Sequence, residues 1–292
     1  MQLLRFCVAL LVLAALVGCD EGIAPTTGAE FPFALFGQFD ADADTQAVRV
    51  VAIAETIDTL DPDSIDARVT STHQQSGEMR VWSDSLVRYA DGTRGHVFFA
   101  PFEVDYNGTY SLRAERSDGE AATVTVTVPP LTALDSLRRE GVPGPVRYVV
   151  GVDDAPRLTG VRATYTFVGD LPSVHVVRHT DLAERTETGW EVAIPFEEDV
   201  REILSRSQAG DVGLLTFEVS VYVSNEEWNV DAAGGAFDPE VLVQPGTLSN
   251  VENGFGFFGA GYRLRLPLRP FTQDQLRAGL CILNEERTGC RE

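Results

Sequence analysis

Three carboxylates stand at alternate positions near the start of the chain, at Asp40, Asp42 and Asp44. Carboxylate oxygens are preferred ligands of Ca²⁺, but an EF-hand loop needs glycine at its sixth place and glutamate at its twelfth. Those places hold Thr45 and Val51. Alternate residues of a strand also lie about 6.6 Å apart, so the carboxylates converge only if the chain curls. We interpret the segment as an acidic solvated turn and leave an ion site open as the alternative.

Two histidines have the four-residue spacing by which a helix brings two imidazoles to one zinc ion, with Asp181 beyond them. They are His175 and His179, and the segment between them is rich in β-branched residues. That composition predicts a strand, on which the two rings would lie roughly 13 Å apart, too far to share an ion. We therefore predict no metal ligands and no cofactor.

The sequence has no G-x-S-x-G elbow, no P-loop and no G-x-G-x-x-G that opens a helix. His73 and His96 each stand alone, with no nucleophile placed beside them. These observations predict that the protein is not an enzyme. A cell-surface hydrolase with an unfamiliar active site is the alternative.

Glycine alternates with aromatic residues in the late segment from Asn250 to Tyr262. This pattern can place the rings of Phe255 and Phe257 on one face, while the glycines let neighbouring backbones approach closely. One interpretation is a strand of the sandwich core, because aromatic residues at strand spacing are usually buried. The other is a surface that grips a ligand or a partner. The candidate residues for that surface are Trp228, Asn250, Asn253, Phe255 and Phe257, with Tyr222 in support.

Arg5 precedes an apolar run, Phe6 to Val17, that is too short to cross a bilayer. A charged start, a short apolar core and small residues at its end predict an export signal over residues 1–18. The run ends in Leu16-Val17-Gly18-Cys19, which resembles the bacterial lipoprotein signal. In such signals the cysteine thiol takes a diacylglyceryl group, and acyl chains such as palmitate hold the mature protein at a membrane. We predict lipidation of Cys19, with an ordinary cleaved signal as the alternative.

Cys281 and Cys290 lie close together near the end of the chain. Disulfides persist in oxidising compartments outside the cytosol, so export favours a bridge between these two thiols. Two cysteines cannot complete a four-ligand zinc site, and no histidine lies near them in the sequence. We predict a structural disulfide.

The charge is strongly unbalanced: 44 Asp and Glu residues face 23 basic residues, all of them arginine, which gives a formal net charge of −21. Such a field repels phosphate backbones and anionic lipid, so we exclude nucleic-acid binding. The apolar content of 44% is enough for a substantial core.

The mature chain divides at Pro129-Pro130, where two prolines end a strand and stiffen the exit. Residues 19–30 are polar and predict a tether, residues 31–128 form one domain and residues 131–292 form a second. The first shows period-two patterns typical of an immunoglobulin-like β-sandwich. Its predicted strands are Phe33–Phe39, Ala47–Ala54, Ala67–His73, Met79–Trp82, His96–Phe102, Thr109–Arg116 and Thr123–Val128. Tyr110 is placed as in a tyrosine corner, with its hydroxyl bonded to backbone a few residues upstream.

The second domain is predicted to be a β-rich sandwich-type domain with a few short helices. Its predicted strands are Val146–Val152, Val161–Val168, Val174–His179, Trp190–Pro195, Leu214–Ser224 and Tyr262–Leu266. A first helix would begin near Thr132 and end before Gly141. A second contains Glu197-Glu198-Asp199, and a last helix has Thr272 as its N-cap. The fold class is therefore mainly β.

Several segments together resemble an uncharacterised family, a "domain of unknown function" family of Gram-negative outer-membrane lipoproteins. They are the lipoprotein signal, Asp44–Val50, Asp58–Val69 with Ser76-Gly77, and the late segment Ser249–Gly259. Asn253 stands where that segment has its second glycine. The resemblance implies an outer-membrane location beside a TonB-dependent transporter, and it carries over no catalytic residues.

We thus expect a lipid-anchored envelope protein that acts as a binding or accessory module at the outer membrane, contacting the membrane through its N-terminal lipid. A structural or adhesive surface protein, with the first domain as a spacer, is the alternative.

Overall fold

A computed structural model describes residues 31–53, 63–90, 92–141, 143–169, 172–206, 211–228, 249–286 and 289–290. Within these residues the protein is mainly β, as predicted. The strands are Phe33–Asp40 (β1), Thr45–Ala52 (β2), Arg68–His73 (β3), Met79–Val81 (β4), Ser83–Arg88 (β5), Arg94–Pro101 (β6), Thr109–Glu115 (β7), Ala121–Thr127 (β8), Leu134–Glu140 (β9), Arg147–Asp153 (β10), Arg157–Val168 (β11), Ser173–Arg178 (β12), Ala183–Arg185 (β13), Gly189–Ile194 (β14), Gly213–Ser224 (β15) and Gly254–Leu268 (β16).

Two short α-helices, Phe196–Arg206 (α1) and Thr272–Arg277 (α2), and the 3-10 turn Thr180–Leu182 accompany the strands. Within the described residues, no helix is long and apolar enough to cross a membrane. The predicted acidic first turn of α1 is confirmed. The predicted cap of α2 is wrong, because Phe271 is the N-cap residue and it makes no side-chain cap bond.

One eight-stranded sheet runs through both halves of the molecule, in the order β12-β11-β15-β16-β1-β2-β6-β5. Two four-stranded sheets, β4-β3-β7-β8 and β13-β14-β10-β9, accompany it. The first half is the predicted immunoglobulin-like sandwich, with a core that includes Leu35, Val69 and Leu112. The second half is the predicted β-rich sandwich, with a separate core around Tyr165, Ile194 and Phe217.

Strand β16 belongs to both halves. Its first part pairs in parallel with β1, from Phe33 opposite Gly254 to Asp40 opposite Gly261. Its last part pairs in antiparallel with β15, from Gly261 to Leu268. Phe258 is fully buried in the first core, whereas Tyr262, four residues later, is buried in the second. The predicted strand Tyr262–Leu266 was too short, because its glycine-rich beginning hid eight further strand residues.

The helix predicted from Thr132 is wrong: residues 134–140 form β9, an edge strand paired with β10. Tertiary contacts override the local helix signal. The Thr132 amide donates to the Tyr262 hydroxyl at 2.8 Å. On β9, the guanidinium of Arg139 reaches the buried carboxylate of Asp274 in α2. These contacts require an extended chain.

The predicted tyrosine corner is confirmed, since the Asp105 amide donates to the Tyr110 hydroxyl at 2.9 Å. The predicted disulfide Cys281–Cys290 is also confirmed, with the Cα atoms 5.6 Å apart. It lies beside β15, where the Cys281 amide donates to the carbonyl of Val212.

Three buried carboxylates fasten the helices to the second sandwich. Asp274 accepts from Arg139 Nε at 2.7 Å and from the Tyr148 hydroxyl at 2.8 Å. Asp199 accepts from the Tyr165 hydroxyl at 2.6 Å and hydrogen-bonds His179 at 2.8 Å. The third, Glu197 in α1, accepts from the Val146 amide, just before β10, at 2.9 Å. Because buried charges cost free energy unless they are hydrogen-bonded, these contacts fix both helices in place.

Truncation tests the role of β16. A chain ending after Pro130 lacks Val251, Phe258 and Ala260 of the first core. We expect such a fragment to show no cooperative thermal unfolding by circular dichroism, because a core that loses large buried side chains loses several kcal/mol for each. Appending residues 249–268 through a flexible linker is expected to restore a transition. Cooperative unfolding of the shorter fragment would contradict this role.

Acid titration tests the anchoring of α2. Burial alone would raise the pKa of Asp274, but the hydrogen bonds from Arg139 and Tyr148 lower it below its ordinary value. A carboxyl whose pKa is lower in the folded than in the unfolded protein stabilises the fold at pH values above its unfolded pKa. This stabilisation is lost as pH falls through the pKa of the folded state. We expect Asp274→Asn to lower the free energy of unfolding by about 2–3 kcal/mol at pH 7.

The difference between Asp274→Asn and wild type should begin to shrink as pH falls below about 3.9, the ordinary pKa of Asp in an unfolded chain, and should shrink further as pH approaches the lowered folded-state pKa. Urea denaturation at pH 7 and pH 3 measures this, with Asp118→Asn as the control on an exposed carboxylate. An equal loss at both pH values would refute the assignment.

Candidate functional site

A cluster of aromatic rings lies on the face of the eight-stranded sheet that points away from both cores. Phe255 and Phe257 occupy alternate positions of β16, and Phe36 lies opposite Phe257 across the β1–β16 pairing. The ring of Phe31 packs edge-on to Phe255 at 4.9 Å, and Trp228 packs edge-on to Phe257 at 5.3 Å. We call these five residues the aromatic cluster.

The position of the aromatic cluster bears on both interpretations of the glycine-rich segment. None of its members belongs to either core cluster, whereas Phe258, which directly follows Phe257 in sequence, is fully buried in the first core. Phe257 is buried, as the core interpretation expects, but it and Phe255 belong to neither core cluster. Phe257 is nearly covered, with 7% of its surface exposed, and Phe255 and Trp228 are half-buried. Strand alternation puts the neighbours of a core residue on the opposite face.

Glycines of β16 make room for the larger rings. A Cβ on Gly259 would stand 2.2 Å from the indole of Trp228, and one on Gly261 would stand 2.5 Å from the ring of Tyr222. Both rings therefore lie directly on the backbone of the sheet. Their centroids are 6.0 Å apart, so Tyr222 extends the aromatic cluster toward β15.

Two asparagine amides complete the hydrogen bonding of β16 where β15 no longer pairs with it. The Asn250 side chain donates to the Phe258 carbonyl at 2.7 Å and accepts from the Phe258 amide at 3.0 Å. The Asn225 side chain accepts from the Ala260 amide at 3.0 Å. Asn250, a candidate binding residue, is thus engaged with backbone. The remaining candidate, Asn253, is exposed in the left-handed region at φ 52°, a conformation that asparagine tolerates.

The hydroxyl of Tyr222 is buried and has no hydrogen-bond partner among the described residues. Burial raises its pKa well above the ordinary value, and the carboxylates of Asp40 and Asp42 add to the shift. A buried hydroxyl without a partner costs free energy, so this atom is available to a polar group of a bound molecule.

A polar pocket of about 210 Å³ opens in the first sandwich, beside edge strand β4. The Arg80 guanidinium lies 4.9 Å from the centroid of Phe102 and pairs with Glu78 at 2.6 Å. The pocket is lined by Ser71, His73, Glu78, Arg80, Phe102, Glu103, Asp105 and Tyr110. This mixed lining suits a small polar molecule.

His73, which lines the pocket, also lies within hydrogen-bond distance of a serine hydroxyl. His73 Nδ1 lies 2.9 Å from Ser76 Oγ, and the Glu78 amide donates to the same oxygen. His73 stacks on Tyr110 at 4.7 Å, and among the described residues no carboxylate hydrogen-bonds its other ring nitrogen. These bonds close the turn at Gly77, so we assign this pair of residues a structural role and not a catalytic one.

The acidic turn folds around the side-chain amide of Gln46. The Gln46 side chain accepts from the Asp40 amide and donates to three carbonyls, including that of Phe102. Asp42 accepts from the Arg263 amide at 2.6 Å. Within the described residues, no group of three potential ligands is placed to hold a metal ion. His175 and His179 lie on β12 and just after it, as predicted.

Cys19, the signal segment and the tether lie outside the described residues, as do residues 58–62 of the segment Asp58–Val69 that carries part of the family resemblance. Sequence reasoning missed Phe31 and Phe36 of the aromatic cluster. Neither carries a local signal, because their place beside Phe255 and Phe257 depends on the parallel pairing of β1 with a strand more than 200 residues later.

No family model and no curated protein matches this chain. Two crystal structures of a pullulanase from Anoxybacillus sp., one of them complexed with maltotriose, are similar to it at 11% and 12% identity. The matches cover 66% and 65% of this chain, with TM-scores of 0.24 and 0.23. The chain spans 24% of the length of the pullulanase chain in each structure. We draw no conclusion about fold or function from similarity at this level.

Paired tyrosine substitutions test the unpartnered hydroxyl. We expect Tyr222→Phe to be neutral or stabilising in the unbound protein, because it removes a buried group without a partner. Tyr262→Phe should lower the free energy of unfolding by about 1–3 kcal/mol, since that hydroxyl donates to the Pro130 carbonyl at 2.7 Å. Urea denaturation measures both. A loss at Tyr222→Phe equal to that at Tyr262→Phe would show that the Tyr222 hydroxyl has a partner in the free protein.

Proposed function

We propose that this protein is a lipid-anchored binding module of the cell envelope, held at the outer membrane through Cys19 and acting beside a TonB-dependent transporter. The observation that carries the proposal is the aromatic cluster, which lies outside both core clusters, on the face of the large sheet opposite Phe258. Aromatic residues supply much of the contact energy at interfaces between proteins.

The geometry supports binding of a protein partner or a ligand at this face. Trp228 and Phe255 are half-buried, so each keeps apolar surface for a partner while its ring is already held in place. Little side-chain entropy remains to be lost on binding. The Tyr222 hydroxyl adds one polar group that a partner can satisfy.

The distance to the membrane also supports the proposal. Phe31, in the aromatic cluster, comes 12 residues after Cys19. A fully extended tether of that length spans at most about 40 Å, so the cluster would stay close to the anchoring membrane. A transporter in the same membrane would lie within its reach.

The spacer alternative, in which the first half acts alone, is less well supported. Strand β16 contributes Phe258 and Ala260 to the first core, so the second half is needed to build the first.

The experiment is purification of the lipidated protein from gently solubilised membranes, with mass spectrometry of the N-terminus and of bound proteins. We expect a diacylglyceryl group on Cys19 and a co-purifying outer-membrane transporter. Trp228→Ala and Phe255→Ala should each reduce recovery of the transporter by roughly tenfold, the loss expected for about 1.4 kcal/mol at a contact residue.

Phe271→Ala is the matched control, because Phe271 is 64% exposed and lies at the start of α2, outside the aromatic cluster. It should leave recovery unchanged. An unmodified N-terminus downstream of Cys19 would overturn the anchor. Recovery of the protein alone, or equal losses with Phe271→Ala, would overturn the binding role of the cluster.

A further inference from the structure

Among the described residues, strand β12 is one end of the eight-stranded sheet, paired with β11 on one side only. The His179 amide donates to the Val161 carbonyl of β11, at 2.9 Å. In an antiparallel pair, backbone groups alternate between facing the neighbour and facing away. The amides and carbonyls of Val174, Val176 and Arg178 therefore point to the open edge and are ready to pair with another strand.

The side chains at these same positions are unusually apolar for an edge. Val174 is 64% exposed and Val176 is 55% exposed. Natural edge strands are commonly protected by lysine, proline, a bulge or an inward-pointing charge. β12 contains no proline or lysine, and its pairing with β11 has no register shift. At the other end of the sheet, β5 carries an inward charge, Asp84, hydrogen-bonded to His96.

The positive charge on the face of the sheet beside β12 favours an acidic partner. Arg178 lies opposite Arg162 across β11–β12, and Arg162 lies opposite Ser220, which in turn lies opposite Arg265 on β16. Among the described residues, none of these three arginines forms an ion pair. Like charges opposite each other in a sheet are destabilising. A carboxylate placed next to Arg178 by an added strand would relieve that repulsion.

From this geometry we infer that β12 binds an extended polypeptide segment of a partner protein by strand addition. In antiparallel pairing, the segment presents an acidic residue opposite Arg178, then apolar residues opposite Val176 and Val174, at alternate positions. Backbone hydrogen bonds supply affinity and the alternating side chains supply specificity. This surface lies at the sheet edge and is distinct from the aromatic cluster.

A second copy of the chain fits this edge poorly. Antiparallel pairing of two β12 strands about Val176 would put Arg178 opposite Val174 of the other copy, with no carboxylate in the row. The net charge of −21 also opposes association of identical chains. An acidic and apolar strand from another protein satisfies both the edge and the arginines.

The test is binding of a short fluorescein-labelled peptide, Glu-Thr-Val-Thr-Val-Thr, to the purified full chain by fluorescence anisotropy. The control peptide has arginine in place of glutamate. We expect the acidic peptide to bind at least roughly tenfold more tightly than the control. Val176→Lys should weaken its binding by a similar factor, because it introduces a charge at the apolar contact.

Val81→Lys is the matched control variant, since Val81 is 57% exposed on edge strand β4 of another sheet. It should leave the affinity unchanged. Arg178→Glu should reverse the preference, so that the arginine peptide binds more tightly than the glutamate peptide. This charge exchange does not depend on the apolar contact.

Binding of neither peptide, or an equal effect of Val176→Lys and Val81→Lys, would overturn the inference. A dimer that Val176→Lys dissociates, seen by analytical ultracentrifugation, would overturn it in favour of a second copy. Loss of transporter recovery with Trp228→Ala would leave these outcomes unaffected, so the two proposals fail separately.

Discussion

The backbone pairing of β16 is the constraint on which the rest of the molecule depends. This single strand hydrogen-bonds in parallel to β1 at one end and in antiparallel to β15 at the other. It carries Phe258 into the first core and Tyr262 into the second. The two sandwiches are therefore parts of one sheet, although Pro129-Pro130 separates them in sequence.

The same strand carries the centre of the aromatic cluster. Strand alternation sends Phe258 into the core and its neighbours, Phe257 and Gly259, to the opposite side. There, glycine lets the ring of Trp228 lie on the backbone, and the amides of Asn225 and Asn250 replace the missing strand partner. Core packing and the aromatic cluster are thus two sides of one element.

The acidic side chains of the described residues lie in two kinds of environment. Most acidic side chains remain at the surface, whereas Asp199 and Asp274 are buried and take hydrogen bonds from tyrosine hydroxyls. Arginine, the only cation besides histidine, reaches Asp274 with the geometry of its planar guanidinium. Among the described residues, Arg162 and Arg178 form no ion pair, so the surface around them is complementary to carboxylates.

The sequence by itself determined the β class, most strand positions, the tyrosine corner at Tyr110 and the disulfide, because each depends on local periodicity or on residues near one another. Only the tertiary structure decided that residues 134–140 are a strand, since that depends on pairing with β10 and on the Arg139 contact to Asp274. It also decided which face Phe255 and Phe257 occupy. A strand pattern fixes which side chains share a face, but the elements packed on each side decide which face is the core.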